Sequence, residues 1–474
     1  MSIFGIVNQE NLLSFLKPMF APNRRSFLKY FMITPAAVSI LPRYLPARTN
    51  QLAGKEVIVI GAGCAGLGAA QALVKAGADV TVVEAKTHIG GRISTDWSMG
   101  VPFEVGAGWI HGPEIRNPTR QLFDAVGAKY VITDDDNILV FDRNGDEISK
   151  DTLEEINQKW ESSLAIVDRT LEKDDLRSLR KAIDDLTVDS IGNPGFDWAI
   201  SAYTEFSKGA PIGDLSATLH DEDKNFDTQD VIVTTGYSGM LTPLAKGLDI
   251  KLATKVFGVT YVDNNISVTT KSGHFSADYV ICSVPLGVLK SGSIKFDPVL
   301  PDTYQRTIDQ IGFGSVTKIA FKFDNAFWDT DVQYFGIMTE PMGRWNYWLN
   351  YRTFSNENII LGISVGAYAP IADRMSDNEL ARDALEVLRG VWGDKVQLPA
   401  QMLRTSWSVD PMAFGAYSYP TPGLSAGQFD YLSRPIRNRL ILAGEHTIFD
   451  YAGTTHGAYM SGLRAAQMLI EQNG

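Results

Sequence analysis

The chain has 474 residues, 43 Lys and Arg against 55 Asp and Glu, and a net charge of −12. Its two cysteines, Cys64 and Cys282, supply neither a disulfide framework nor an all-cysteine zinc site, and the six histidines form no HExxH pair, so no metal is expected. So acidic a chain is a poor phosphate-backbone binder, and no apolar run approaches the length of a membrane span; neither nucleic acid nor a spanning role is expected.

In chain order, residues 1–47 stand apart. No acidic residue falls between Glu10 and Glu56, Arg24, Arg25 and Lys29 cluster, and a short apolar stretch runs from Tyr30 to Leu41. Asn23-Arg-Arg-Ser-Phe-Leu-Lys29 is similar to the bacterial twin-arginine export signal, with cleavage expected near Ala47 and Met19 as an alternative start. That resemblance implies a periplasmic or secreted protein with no stable membrane span after signal removal; the competing reading is a basic surface helix. Residues 1–47 hold five basic residues and one acidic residue, so the remainder, with 38 basic and 54 acidic residues, stands at −16.

Lys55-Glu-Val-Ile-Val-Ile60 reads as a buried strand, followed at once by Gly61-Ala-Gly63-Cys-Ala65-Gly66. A helix is predicted over Leu67–Ala76, with Leu67, Ala70 and Val74 on one face, and a second strand over Asp79–Glu84. In this frame Gly61 permits the tight turn, Gly63 lets the backbone approach a pyrophosphate, and Gly66 allows close helix–strand packing. The helix N-terminus then offers N–H groups to the phosphates. Glu84, 18 residues beyond Gly66, is placed for ribose hydroxyls, and a carboxylate there favours FAD or NAD over NADP. Cys64 reads as a small residue in the turn.

Next come His88-Ile-Gly-Gly-Arg92 and Glu104-Val-Gly-Ala-Gly108-Trp109-Ile-His111-Gly. On these motifs the sequence resembles the flavin-containing amine oxidases, which include polyamine oxidases, monoamine oxidases and lysine-specific histone demethylases. The resemblance implies an α/β fold, a Rossmann-type FAD-binding domain interleaved with an α+β substrate-binding domain. Segments 52–133, 230–297 and 404–474 would form the first, and 134–229 and 298–403 the second. It also implies that Arg92 reaches the FAD phosphates and that Gly108 and Trp109 pass beside the flavin. Gly61, Gly63, Ala65, Gly66, Glu84 and Lys86 would serve the nucleotide end.

Residues 151–190 are charged with helical periodicity, as expected of a solvated cap over the flavin domain. Val231–Tyr237 reads as a strand returning to the nucleotide-binding sheet, and Lys255–Tyr261 with Ile266–Thr270 as a small β-meander. Asp278–Val284 is a buried strand that places Cys282 in the core, and the resemblance has Val256 hold the adenine through its backbone. In Ile311-Gly-Phe-Gly-Ser-Val-Thr-Lys318-Ile-Ala-Phe-Lys-Phe323 an alternating strand follows Lys318. A lysine entering an apolar strand is costly without partners. It is either an edge residue reaching water or, as the resemblance implies, the lysine that holds a water against flavin N5.

Leu440–Leu442 reads as the last strand of the nucleotide sheet. By resemblance Glu445 bonds the ribityl chain, and a helix starting near Thr454 and Thr455 aims its positive end at the flavin N1–C2=O edge. Tyr417 falls on the first of two aromatic-cage positions and Thr454 on the second, giving half a cage. Ala416 stands where monoamine oxidases attach FAD through a cysteine, so the flavin is expected to be non-covalent. His111 matches a histidine of the amine channel in animal polyamine oxidases. The implied reaction is hydride transfer from an amine, most fittingly a polyamine, to flavin N5, followed by iminium hydrolysis and reduction of O2 to H2O2. Lys318, Tyr417, His111 and Thr454 would stand at the reacting end. The alternatives are a monoamine-selective oxidase, a flavin-carrying redox protein without turnover, or an L-amino-acid oxidase, which needs an arginine such as Arg344 or Arg352 on the substrate carboxylate. A plain NAD-binding module leaves Glu445 and the Thr454 helix without a task, and the oligomeric state is left open.

Overall fold

Val57, Ile58, Val59 and Ile60 are all buried, which a strand achieves when both faces of its sheet are covered. In the computed structural model, which describes residues 50–187, 192–226, 228–262 and 265–474, this strand is the middle one of five. The expected export signal lies outside the described residues. The strands are all parallel, in the order Leu440–Leu442, Tyr279–Cys282, Glu56–Ile60, Asp79–Val83 and Asp249–Lys251.

Helix Cys64–Lys75 covers one face and the closing helix Thr455–Asn473 packs beside it. Their approach needs a glycine, because a methyl on Gly462 would fall 2.0 Å from the Ala65 carbonyl oxygen. The first helix starts three residues before Leu67, because the turn at Gly61 (φ +103°) leads straight into it. The other face carries strands Val256–Val262, Asn265–Thr270 and Gly273–Ala277, to which Lys295–Asp297 adds in parallel. Cys282 is buried in the core, as expected.

One strand is not where the sequence puts it. Val231–Val233 does not return to the parallel sheet; it pairs antiparallel with Trp109–Ile110 and Tyr130–Ile132, and Asp249–Lys251 takes the edge instead. A three-residue apolar run reads the same whichever sheet it joins, so its partner is not encoded locally.

A six-stranded sheet runs in the order Gln401–Arg404, Thr317–Lys322, Ile359–Ser364, Tyr347–Asn350, Tyr334–Ile337 and Ile138–Phe141. It is antiparallel except for the last pair. Thr317–Lys322 is buried on both faces rather than alternating. Ile319 and Phe321 pack with Leu380, Ala384 and Leu388 of helix Asp377–Trp392, while Ala320 belongs to the opposite core, which includes Trp160, Val167 and Trp198. The charged segment 151–190 forms helices Lys150–Thr170 and Leu179–Leu186, the first capped by Ser149 Oγ, which accepts from Thr152 N at 3.1 Å. Among the described residues no helix is long and apolar enough to cross a membrane, and no cluster of His, Cys, Asp and Glu suits a metal.

Candidate active site

A cavity of about 530 Å³ opens at the C-terminal ends of the parallel strands and continues to the six-stranded sheet, lined by residues of both. At its first end lie Gly61, Gly63, Ala65, Glu84, Lys86, Arg92 and Val256. Helix Cys64–Lys75 opens at Gly63 with no side-chain cap, so its leading N–H groups are left for an acceptor in the cavity. Gly66 sits just beneath, where a methyl would come within 1.9 Å of the Gly61 carbonyl oxygen. Buried Glu84 accepts from Ala62 N at 2.7 Å and from Lys86 N at 2.8 Å, which fixes its carboxylate against the cavity wall. This arrangement fits a cofactor carrying phosphates and a ribose. Cys64 is buried there, with its thiol pushed up to about 12 by burial, and is inert as a nucleophile.

Two expected cofactor residues are engaged with carboxylates. The Lys86 ammonium pairs with Asp410 at 2.7 Å and lies over the Trp407 ring. Arg92 Nη1 donates to Ala416 O at 2.6 Å and to Glu445 Oε1 at 2.9 Å. The other Glu445 oxygen accepts from Ser418 Oγ at 2.5 Å and from Gly453 N at 2.9 Å. Burial works to raise the Glu445 carboxyl, but Arg92, His446 and Ser418 outweigh it and hold the group below its ordinary range. Arg92, partly exposed, and buried Glu445 thus act as one hydrogen-bonded unit in the cavity wall.

At the reacting end Lys318 is 7% exposed and does not reach water along an edge. Its Nζ donates to Glu104 O at 3.0 Å and Gly106 O at 2.5 Å, and lies 5.6 Å from the centre of the Trp109 ring. Burial pulls its pKa down to about 8, with Glu104 opposing. The Glu104 carboxylate accepts from Tyr237 N at 2.8 Å and Thr95 Oγ1 at 2.7 Å, yet burial raises it to about 7. A methyl on Gly108 would come within 3.2 Å of Glu104 Cβ, so the glycine gives that side chain room.

Tyr417 is held from both ends. Its hydroxyl donates to Phe206 O at 2.7 Å, and its backbone carbonyl accepts from Gly314 N at 2.8 Å. The Gly-Phe-Gly turn is required here: a methyl on Gly312 would strike the Tyr419 ring at 2.2 Å, and one on Gly314 the Gly209 carbonyl at 1.8 Å. Thr454 does line the cavity, but its hydroxyl caps the closing helix, accepting from Gly457 N at 2.9 Å and donating to Tyr451 O at 2.8 Å. Thr455 opens that helix and also lines the cavity. The aromatic wall is completed by Phe206, whose ring stands 6.0 Å from Trp109 and 5.9 Å from Tyr347. His111 is at the same end, with Nδ1 2.7 Å from Asp230 Oδ2.

The structure therefore gathers Lys318, Tyr417, His111, Thr454, Gly108 and Trp109 around one space. It leaves out Arg344, which pairs with Asp383 and Glu386, and Arg352, which donates to Asn356 O; neither lines the cavity. Glu104, Phe206 and Asp230 were missed as site residues. Glu104 gave a signal, a carboxylate inside an apolar segment, whereas the other two are placed by contacts distant in sequence.

The family model of flavin containing amine oxidoreductases matches residues 64–470. The chain belongs to this family. Among its relatives, polyamine oxidase 2 of Arabidopsis thaliana is 31% identical over 431 residues, 87% of each chain. Polyamine oxidase 4 of Oryza sativa subsp. japonica is 31% identical over 445 residues, 89% of this chain and 90% of its own. Lysine-specific histone demethylase 1 homolog 3 of Arabidopsis thaliana is 32% identical over 90% of this chain but 31% of its own length. The structure of wild-type putrescine oxidase bound to putrescine superposes with a TM-score of 0.73 at 20% identity, covering 88% of this chain and 99% of that one. The fold is that of the amine oxidases, and the chain is a flavin-dependent amine oxidoreductase.

Proposed function

We propose that the enzyme oxidises a polyamine, with non-covalent FAD and with O2 as the electron acceptor. The observation that carries this reading is the charge of the cavity. Asp135, Glu161, Asp221 and Asp230 line it, whereas Asp223 is paired with Lys208, and Lys86 and Arg92 are paired with Asp410 and Glu445. Carboxylates spread along a channel favour a ligand with several ammonium groups. A substrate carboxylate would lack the arginine that an amino-acid oxidase needs.

Bound FAD supplies the hydride acceptor and the electron route to O2. The chain's residues position and desolvate. Tyr417, Phe206, Trp109 and Tyr347 give the amine apolar walls that exclude water, and the Tyr417 face stabilises cationic character at the reacting nitrogen. Lys318 has three N–H donors and two are taken by carbonyls, which leaves the third for a water on the cavity side. The Thr454-capped helix brings its positive end to the cavity, where it stabilises developing negative charge.

An oxygen-consumption screen of spermine, spermidine, acetylated polyamines, monoamines and L-amino acids tests the reading. Turnover with peroxide release is expected with polyamines; turnover confined to monoamines or amino acids refutes it. The flavin should leave the protein on denaturation, since Ala416 offers no thiol; flavin retained on the denatured chain contradicts this. We also infer export by the twin-arginine route, supported by Asn23–Lys29 and the apolar stretch after it. Replacing Arg24 and Arg25 by lysine should trap active enzyme in the cytoplasm, and unchanged export would overturn the inference.

A further inference from the structure

Asp230 belongs to none of the family motifs. It stands just before strand Val231–Val233, whose pairing with Trp109–Ile110 sets Val231 opposite Ile110 and so brings Asp230 alongside His111. Its carbonyl accepts from Thr133 N at 2.9 Å and Thr133 Oγ1 at 3.0 Å. Its carboxylate is aimed by Gly112 N, which donates to Oδ1 at 3.2 Å, and Oδ2 lies 2.7 Å from His111 Nδ1. An ionised carboxylate can only accept, so beside ionised Asp230 the proton sits on Nδ1, and in the neutral ring the lone pair is then on Nε2. The His111 side chain is 42% exposed and lines that cavity.

We propose that Asp230 is a positioning residue that fixes the His111 tautomer and makes Nε2 the acceptor of the proton carried by the incoming substrate ammonium. This rests on the amine-oxidase reading of the cavity. In the step an ammonium N–H bond breaks, its electron pair stays on the amine nitrogen, and an N–H bond forms at Nε2. The products are a neutral amine, ready for oxidation, and an imidazolium whose charge Asp230 balances.

The other groups around the ring do not replace Asp230. His456, held between the Phe226 and Tyr451 rings, is pressed by burial, and then by His111, down to about 3, so it stays neutral. Glu114 and Arg116, on the same loop as His111, pair with each other, and Lys224 pairs with Asp450 beside Tyr451. Tyr237 and Tyr334, which feel the Asp230 charge, are raised chiefly by burial and remain neutral phenols. Asp135 lines the same cavity.

The test is the pH profile of flavin reduction by spermine without oxygen, measured on holoenzyme carrying Asp230→Asn, Asp230→Glu or His111→Ala. Loss of the carboxylate weakens the imidazolium, so Asp230→Asn should move the acid limb to lower pH and slow reduction on the plateau by about tenfold or more. Asp230→Glu keeps the charge and should return the limb toward its wild-type position. The visible flavin spectrum and the flavin content should match wild type in all three. An Asp230→Asn profile equal to wild type overturns the proposal, as does an Asp230→Glu profile that shifts as far as Asp230→Asn. Wild-type reduction by His111→Ala also overturns it, while leaving the amine-oxidase reading intact. Failure of every amine to reduce the wild-type flavin refutes that reading instead.

Discussion

Burial brings Glu104 up to about 7 and Lys318 down to about 8, so two opposite charges beside the reacting end titrate within a narrow span of pH. Glu104 favours the charged lysine; in its absence Lys318 should lose its proton at still lower pH. In Glu104→Gln, the limb of flavin reoxidation that reports Lys318 is expected below its wild-type position, and an unmoved limb would show that the two are uncoupled. Lys318→Met should slow reoxidation or turnover by about tenfold or more, the range of a positioned proton or water relay; wild-type rates in both half-reactions would remove its role. Stability carries the same signature. Glu104 holds its proton more tightly in the fold, so its contribution is complete below 4.5 and is lost as pH rises through about 7. Lys318 holds its proton less tightly in the fold, so its contribution is present above 10.5 and lost as pH falls through about 8. Thermal melts should therefore show wild type losing ground to Glu104→Gln between pH 4.5 and 7; a constant difference contradicts the assignment.

At the scale of elements, two short devices aim the site. The Gly-Phe-Gly turn lets strands Gly312–Phe313 and Ser418–Tyr419 pair, and this fixes Tyr417 relative to Lys318. Gly314→Ala would set a methyl against the Gly209 carbonyl, so it should yield poorly folded protein or raise KM with loss of flavin; normal kinetics would refute the close approach. Thr454 serves mainly as a helix cap, and Thr454→Ala should cost about 1 kcal/mol by thermal or denaturant unfolding. The glycine-rich turn, the parallel strands and the closing helix were legible in the sequence because each depends on local spacing: a glycine at the turn, an apolar run, a capping threonine. Strand Val231–Val233 was misplaced because its three apolar residues fit either sheet. Its true partner decides where Asp230 stands, so the error hid a site residue as well.

For the whole molecule, the cavity exists because segments far apart in the chain converge. Lys318 comes from the six-stranded sheet, its carbonyl partners from residues 104 and 106, and Tyr417 from the segment that also holds Glu445 through Ser418. Family motifs named most of these residues, since they lie within short runs of fixed spacing. Phe206 and Asp230 escaped because their places depend on contacts across about 100 residues or more, which periodicity does not carry. The charge balance belongs to this scale too: an acidic enzyme whose cavity is lined by several carboxylates should attract polycations and release them as ionic strength rises. The most direct test of the account is anaerobic titration of the purified yellow protein with spermine, followed by admission of air. The account expects spermine to bleach the visible flavin band and air to restore it with release of peroxide. A band that persists with every polyamine, or one bleached by L-amino acids alone, would contradict it.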